Sequence, residues 1–400
     1  MTPLRILLVI DYAIGYLGGA QTAFVQQARA LAAAGHAVTV AAPDASAQRE
    51  LAVTGIERWD SPVGFVLPAA GLPLIANTAG LRDILNRRMR EWQTDLVIVH
   101  SEFGLAAAAL AVAAARGTPT MHTVHTFFWR GPSVAGLAAP LAAPLITAAH
   151  GWATGLASSR RRLAPGRIDS ALRGMTLAVA QAADLVISPS HHQASALRRA
   201  GLPRVVVISN TSEHRARRSL IASAVGPLRL VWAARFAPEK RLDVALAAMQ
   251  IVENIVGLGV VQLDIAGGVA VPGTPASVVF HGRVSSSVVA TLLDDAHAAL
   301  VTSHGFDNQP MIAVEAFKAG RPVLVSDPTL ATEFGPAAIA AGDSTAEGLA
   351  RTIVRLALDR DLLRVPAAAA ERYAAGTRGD QHAGEIERAF RELGQFAPLC

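Results

Sequence analysis

The stretch Leu4–Pro43, "LRILLVIDYAIGYLGGAQTAFVQQARALAAAGHAVTVAAP", decides the fold. A short apolar run stops at Asp11, a glycine-containing loop follows, and "AQTAFVQQARALAAAGH" repeats its apolar residues at helical spacing. A second apolar run, "AVTVAAP", closes the unit. Strand, helix and strand at this rhythm predict a parallel sheet covered by helices on both faces.

The rhythm continues. "DLVIVH" (Asp95–His100), "TPTMHTVH" (Thr118–His125), "DLVISPS" (Asp184–Ser190) and "RVVVISN" (Arg204–Asn210) read as further strands of one Rossmann-like domain, residues 1–209. Residues 210–226 form a polar, basic connector ending in Gly226-Pro227. The pattern then restarts with "LRLVWAA" and runs through "VVQLDIAG", "SVVFHG", "HAALVTS" and "RPVLVS". This predicts a second doubly wound domain over 227–375. A polar-faced helix at about 380–396 is expected to pack back on the first domain. The expected fold class is therefore α/β, with two doubly wound domains facing across a cleft. Ligands of such sheets bind outside the carboxyl ends of the strands.

Length and composition agree. Four hundred residues exceed what one core serves, and 52% hydrophobic against 17% charged residues excludes a disordered chain. The single cysteine, Cys400, can neither staple the fold nor build a cysteine metal site, which fits a reducing compartment. The opening apolar run is too short for a secretory signal. The most lipid-like stretch, Ser133–Leu156, carries Pro140 and Pro144, so it reads as something other than a spanning helix. A cytoplasmic protein is expected, peripheral on the inner membrane face at most.

Charge is uneven. Residues 1–209 hold 18 arginines and 11 acids, whereas 210–400 hold 18 basic residues and 20 acids. The arginines cluster in Leu81–Trp92 and Ser158–Arg173. They read either as solvated helix faces or as a surface for anionic lipid headgroups or an acidic acceptor. No aromatic residues are interleaved with them, so nucleic acid is not an expected partner.

Chemistry concentrates in the second domain. In "LVWAARFAPEKRLDVALAAM", Arg235 leaves the first strand and Lys240 precedes a helix. A guanidinium and an ammonium at that place suit a diphosphate that gains charge as a bond to it breaks. Only Lys240 and Lys318 are lysines among 36 basic residues, so lysine at 240 suggests a task arginine does not fill. In "SHGFDNQPMIAVEAFKAGRPV" (Ser303–Val323), Asp307 lies in a loop and Gln309-Pro310 opens a helix carrying Glu315. Asp307 could meet sugar hydroxyls, Glu315 a ribose diol, and the free amides of residues 309–312 the phosphates between. The bland alternative is a helix cap at Asp307 and a structural ion pair at Glu315.

These motifs, in this order, resemble the family 4 retaining glycosyltransferases of the two-Rossmann GT-B fold, over nearly the whole chain. The family's two acids separated by seven residues correspond to Asp307 and Glu315, followed by "AFKAGRPVL". Its arginine–lysine stretch corresponds to "ARFAPEKR", and its "IAGxG" strand end to "IAGG" (Ile265–Gly268). The resemblance implies that Asn308, Gln309, Pro310, Met311 and Val284 line the nucleotide-sugar site. It further implies that Gly18 and Gly19 form the glycine loop of the first domain, and that His125 lies near the reacting centre. Departures are Ala234 and Arg241 where the family has glycine, Asp307 for the usual glutamate, and "SNT" (Ser209–Thr211) for "PNG".

The implied activity is metal-independent, retaining sugar transfer from a nucleotide-diphosphate sugar, the donor being a substrate and no cofactor being expected. The acceptor would be a glycan, a lipid-linked glycan or a small molecule. The rival readings are a catalytically silent nucleotide-sugar-binding protein or partner subunit of a glycosyltransferase, and an epimerase on the same fold. A dinucleotide oxidoreductase is disfavoured, because "DYAIGYLGGAQ" lacks GxGxxG spacing. No carboxylate or cysteine at ligand spacing supports a metal at His191-His192.

Overall fold

The computed structural model describes residues 2–15, 18–53, 55–67, 72–131, 139–159, 161–213 and 226–395. The chain divides into two compact units, residues 1–211 with 379–400 and residues 212–378. Most of the polar connector, residues 214–225, lies outside the described residues, as do Phe396 and Cys400.

Unit 1 contains β1 (Arg5–Val9), β2 (Ala37–Ala42), β3 (Ile56–Asp60), β4 (Phe65–Leu67), β5 (Leu72–Leu74), β6 (Leu96–Val99), β7 (Thr120–Thr123), β8 (Leu185–Ser188) and β9 (Val205–Val207). Its helices are α1 (Gly19–Ala33), α2 (Ala79–Glu91), α3 (Gly104–Arg116), α4 (Ala139–Thr154), α5 (Arg167–Gln181) and α6 (His191–Arg199). Seven strands form one parallel sheet in the order β3-β2-β1-β6-β7-β8-β9, and β4 and β5 make a separate antiparallel hairpin.

Unit 2 contains β10 (Leu228–Ala233), β11 (Val261–Ala266), β12 (Val278–Phe280), β13 (Ala298–Val301), β14 (Val323–Val325) and β15 (Ala338–Ala340). Its helices are α7 (Leu242–Val256), α8 (Ser286–Asp295), α9 (Met311–Lys318), α10 (Pro328–Phe334), α11 (Ala346–Leu358) and α12 (Arg364–Ala375). The sheet order is β12-β11-β10-β13-β14-β15, again parallel.

Both units are thus doubly wound, the fold class expected from the alternation. The central strands β6, β8 and β13 are buried at every position, because helices cover both faces and leave no polar alternation. The order reverses between β1 and β6 in unit 1 and between β10 and β13 in unit 2. At each reversal the connecting helices leave toward opposite faces, which opens a crevice at the strand ends.

Several details differ from the sequence reading. β3 and β15 sit at sheet edges and escape it; "IERWD" is largely exposed and carries no apolar run. The hairpin β4–β5 was likewise unread, because its ten-residue segment is apolar throughout and has no period. The segment Ser133–Leu156 yields α4, with Pro144 inside the helix, while residues 132–138 lie outside the described residues. Asp359 follows α11, and its side chain accepts from the Asp361 amide at 3.0 Å, capping a single turn.

The final helix, α13 (Gly379–Gln395), belongs to unit 1, where it packs on α1. Ala383, Ile386, Ala389 and Leu393 join the core around β1 and β2. His36 Nε2 lies 3.0 Å from Glu387 Oε1, while His36 Nδ1 accepts the Leu4 amide at 3.1 Å. That second bond fixes the tautomer, so Nε2 carries the proton toward Glu387.

Candidate functional site

In unit 2 the functional side chains gather where β10 and β13 part. β10 ends at Ala233, and a tight turn follows in which the Ala237 amide donates to the Arg235 carbonyl at 2.9 Å. Pro238–Lys240 form one helical turn, and Arg241 then adopts left-handed backbone, φ 51 and ψ 50, before α7 begins. This explains how arginine replaces the usual glycine. The strained residue is held by its guanidinium, whose Nη2 donates to the Ser344 carbonyl at 2.8 Å.

Lys240 is tied down at both ends. Its carbonyl accepts from Thr302 Oγ1 at 2.7 Å, and Trp232 Nε1 donates to the same hydroxyl at 2.9 Å. Its Nζ lies 2.5 Å from Asp307 Oδ1 and 5.5 Å from the centre of the Phe306 ring. The two side chains are only 18% and 10% exposed, so this pair is shielded from the screening that weakens surface pairs. Arg235 differs: it is 44% exposed and sits 3.6 Å from Glu239, a loose surface pair.

The loop after β13 is shaped by Gly305, φ 62, whose amide donates to Asp327 Oδ2 at 2.6 Å. Asn308 and Gln309 are buried, and Gln309 Nε2 donates to the Tyr373 hydroxyl at 2.8 Å. Pro310 caps α9 and does not lie inside it, which corrects the expectation of free amides over 309–312. Proline has no N–H, and Gln309 precedes the cap, so the amides at the helix start are those of Met311 and Ile312. Glu315, the fifth residue of α9, is partly exposed on a helix whose apolar residues are buried.

Two glycines let the neighbouring loops close in. A Cβ on Gly267, φ +135, would lie 1.8 Å from the Ala234 carbonyl, so only glycine lets the end of β11 pass the turn that carries Arg235. The Gly267 amide donates to the Gly282 carbonyl at 2.8 Å, which draws the loop holding Val284 toward it. Val284 is partly exposed just before α8.

Unit 1 has its own cluster at the ends of β1, β6 and β7. His100 follows β6, His125 lies two residues beyond β7, and their rings stack with His100 Nδ1 2.9 Å from His125 Nε2. Burial pushes the His125 imidazole down to about 4, and burial with its neighbours His125, His122 and His382 holds His100 well below 6.5. Both are neutral near pH 7, so the pair shares one proton along its hydrogen bond and offers polarity without charge. His122 is fully buried within β7, pushed down to about 3 by burial. Gly18 caps α1 in extended backbone, φ −158, and Gly19 starts the helix.

A carboxylate pair beside these histidines was missed by the sequence reading. Asp11 accepts from Ser101 Oγ at 2.6 Å, the Leu105 amide at 2.7 Å and the Ala106 amide at 3.2 Å, anchoring the start of α3. Glu102 is 4% exposed and accepts from the Tyr12 hydroxyl at 3.0 Å. Burial, with repulsion from Asp11, pushes it up to about 8, so it is protonated near neutrality. The available signal was position: Asp11 and Glu102 both follow strands flanking the reversal of strand order.

His191 and His192 open α6, where His192 stacks on Phe128 at 5.4 Å. Among the described residues no group of three or more His, Cys, Asp or Glu is arranged to hold a metal ion. No helix among them is long and apolar enough to cross a membrane.

Comparison with known proteins agrees with this layout. The profile of Glycosyltransferase Family 4 matches residues 17–133 and 124–211, and that of Glycosyl transferases group 1 matches 227–359. No curated protein matches in sequence. Among solved structures, HepE of Anabaena with UDP and glucose aligns over 97% of this chain and 99% of its own, at 14% identity and TM-score 0.64. Sucrose-phosphate synthase of Thermosynechococcus elongatus aligns over 98% and 100%, at 17% identity and TM-score 0.65. The pneumococcal O-GlcNAc transferase GtfA with UDP and GlcNAc aligns over 98% and 99%, at 12% identity and TM-score 0.62. At such identities these likenesses speak for the fold.

Proposed function

The chain belongs to the family 4, group 1 glycosyltransferases, and we propose that it moves a sugar from a uridine diphosphate sugar to an acceptor hydroxyl, with retention of configuration and without a metal ion. The acceptor is a glycan or glycolipid. The nucleotide choice draws on HepE and GtfA, each solved with UDP. The observation that carries the reading is the shielded Lys240–Asp307 pair at the reversal of strand order in unit 2, beside the start of α9.

In this reading the diphosphate takes up Lys240 and Arg235 and meets the amides of Met311 and Ile312, with the dipole of α9 behind them. Asn308, Gln309 and Pro310 shape that loop, Val284 faces the nucleobase and Glu315 takes the ribose diol. Asp307, relieved of Lys240 when phosphate arrives, meets the hydroxyls of the sugar. The bond from the anomeric carbon to the diphosphate oxygen breaks while the acceptor oxygen bonds the same face of that carbon. The acceptor proton passes to the departing phosphate oxygen, so no protein nucleophile is required. Charge gathers on the diphosphate as the bond breaks, and the cations stabilise it most at that point. In unit 1, the family resemblance assigns Gly18 and Gly19 to the glycine loop and gives neutral His125 a part in the reaction.

A thermal-shift panel of nucleotide sugars tests the donor assignment. A uridine diphosphate hexose should raise the melting temperature of the wild type and leave Lys240→Ala unmoved. Equal shifts in both proteins would remove Lys240 from the diphosphate site. A second reading has one observation in its favour, namely that the Lys240 amine is already engaged by Asp307. It makes the chain a silent nucleotide-sugar binder, and slow release of free nucleotide from the donor without acceptor separates an enzyme from a binder.

A further inference from the structure

Helix α4 has one face inside and one outside. His150 and Thr154 are buried, and His150 Nε2 bonds the Glu102 carbonyl at 2.7 Å, which moors the helix to the end of β6. The opposite stripe holds Leu141, Leu145 and Trp152, which are 74%, 69% and 81% exposed. Positions 141, 145 and 152 fall on one side of a helix, and the other exposed residues there, Pro144 and Ala148 among them, are apolar too. Soluble surfaces seldom carry an uninterrupted apolar stripe of this kind.

The sequence around it is charge-free over residues 131–159, and so is the segment 61–81 that contains the hairpin β4–β5. The two segments touch: the Asn77 amide donates to the Ala153 carbonyl at 2.7 Å, and Asn77 Nδ2 donates to the Thr154 carbonyl at 2.7 Å. Arginines border this region. Arg161 and Arg162 are exposed on the connection from α4 into α5, their guanidiniums donating to the Ala200 carbonyl at 3.1 Å and the Pro165 carbonyl at 2.5 Å, and Arg167 is exposed as the first residue of α5, which packs on α4. Arg130 is exposed as well, and its neighbour Gly131 donates from its amide to Asp169 Oδ1, in the first turn of α5, at 2.7 Å.

We propose that the exposed face of α4 docks on the surface of an anionic lipid bilayer, with Leu141, Leu145 and Trp152 entering the headgroup–acyl boundary and the bordering arginines meeting lipid phosphates. The chemistry favours lipid over a protein partner. Apart from the Trp152 indole the stripe offers no side-chain hydrogen-bonding group by which a partner surface could be read, while tryptophan and arginine suit the bilayer interface. The helix lies on the membrane; at 16 residues, with Pro144 inside, it is too short to span it. This goes beyond the donor assignment and does not depend on it.

The test is flotation of the full chain with vesicles of phosphatidylcholine alone or with about one-third phosphatidylglycerol, at low and high salt. The wild type should float with the anionic vesicles at low salt and largely detach at high salt. The double variant Leu145→Glu, Trp152→Glu should partition at least about tenfold more weakly. Its melting temperature should match the wild type, because both side chains point outward. A second measurement does not rely on that variant: vesicle addition should blue-shift tryptophan emission in the wild type, and Trp152→Phe should lose the shift while still floating. No flotation of the wild type, or a concentration-dependent dimer dispersed by the double variant in place of vesicle binding, overturns the proposal. A chain that ignores vesicles yet shows the donor-induced thermal shift sinks this inference alone; one that floats without responding to donor sinks the donor reading alone.

Discussion

Lys240 and Asp307, 67 positions apart in the chain, form an ion pair 2.5 Å long where β10 and β13 separate. Either residue alone would be a partly buried, uncompensated charge, which costs more than the pair returns. The pair therefore holds both groups in place until an anion competes for the ammonium.

The first prediction concerns this coupling. Lys240→Ala and Asp307→Ala should each lower stability, and the double variant should lose less than the two together. The coupling expected from a urea-denaturation cycle is about 1–3 kcal/mol, above the 0–1 kcal/mol typical of exposed pairs. Lys240→Ala should also reduce kcat about 10²–10³-fold, and Lys240→Arg should not restore it, because a planar fork cannot replace a point charge. Purely additive stabilities, or a kcat near wild type, would speak against the assigned role.

The left-handed backbone at Arg241 yields a comparison of two variants. Arg241→Gly and Arg241→Ala both lose the bond to the Ser344 carbonyl, so their difference isolates the backbone. Glycine adopts φ 51 without a Cβ clash, and should be more stable than alanine by about 1 kcal/mol. Equal denaturation midpoints would mean the loop relaxes around this residue.

Gly267 and Gly282 share positive φ but differ in surroundings. A Cβ on Gly267 meets the Ala234 carbonyl at 1.8 Å, whereas one on Gly282 meets nothing within 4 Å. Gly267→Ala should destabilise by more than about 2 kcal/mol and abolish the donor-induced thermal shift, since the displaced backbone carries Arg235. Gly282→Ala should cost only about 1 kcal/mol, the conformational term alone.

The histidines of unit 1 make the fold sensitive to acid. His122 and His125 are pushed down to about 3 and about 4 from 6.5. Their stabilising effect is complete above 6.5, where folded and unfolded chains are both neutral. It is lost as pH falls toward the folded values, because the unfolded state takes the proton first. Among the described residues neither ring nitrogen of His122 has a hydrogen-bond partner. His122→Leu should therefore raise stability by about 1–2 kcal/mol at neutral pH and flatten the acid limb of a stability–pH curve. An unchanged slope would show that His122 is hydrated in the folded protein.

Glu102 works in the opposite direction. Its carboxyl is pushed up from 4.5 to about 8, so its contribution is complete below 4.5 and fades as pH rises toward 8, where the unfolded chain is already ionised. Glu102→Gln keeps an oxygen for the Tyr12 hydroxyl and removes the titration. Denaturation at pH 7.5 should find it more stable than wild type by at least about 1 kcal/mol, with the two converging near pH 4.5. Wild-type superiority at pH 7.5 would indicate an ionised Glu102.

How far the sequence can be read differs between elements. β1, β6, β8, β10 and β13 announce themselves as apolar runs, because a strand buried on both faces tolerates little else. β3 does not, since its exposed edge has few neighbours to demand apolar side chains, and β15 does not because three residues, "AIA", do not stand out in an alanine-rich stretch. The stretches "ARFAPEKR" and "DNQPMIAVE" were recognisable because each is short and contiguous. The network of Asp11 and Tyr12 with Ser101 and Glu102 was not, as its two halves are 90 positions apart and meet only through strand order.

Apolar runs alternating with helical periods, together with those local motifs, were enough to establish two doubly wound sheets and the family, since both depend on residues close together in the chain. Tertiary structure decided that Lys240 meets Asp307, that Arg241 takes a glycine's backbone, that His122, His125 and Glu102 stay uncharged, and that α4 turns Leu145 and Trp152 outward. Pairing, strain and desolvation are set by what the fold brings within a few ångströms, and no local pattern along the chain encodes that.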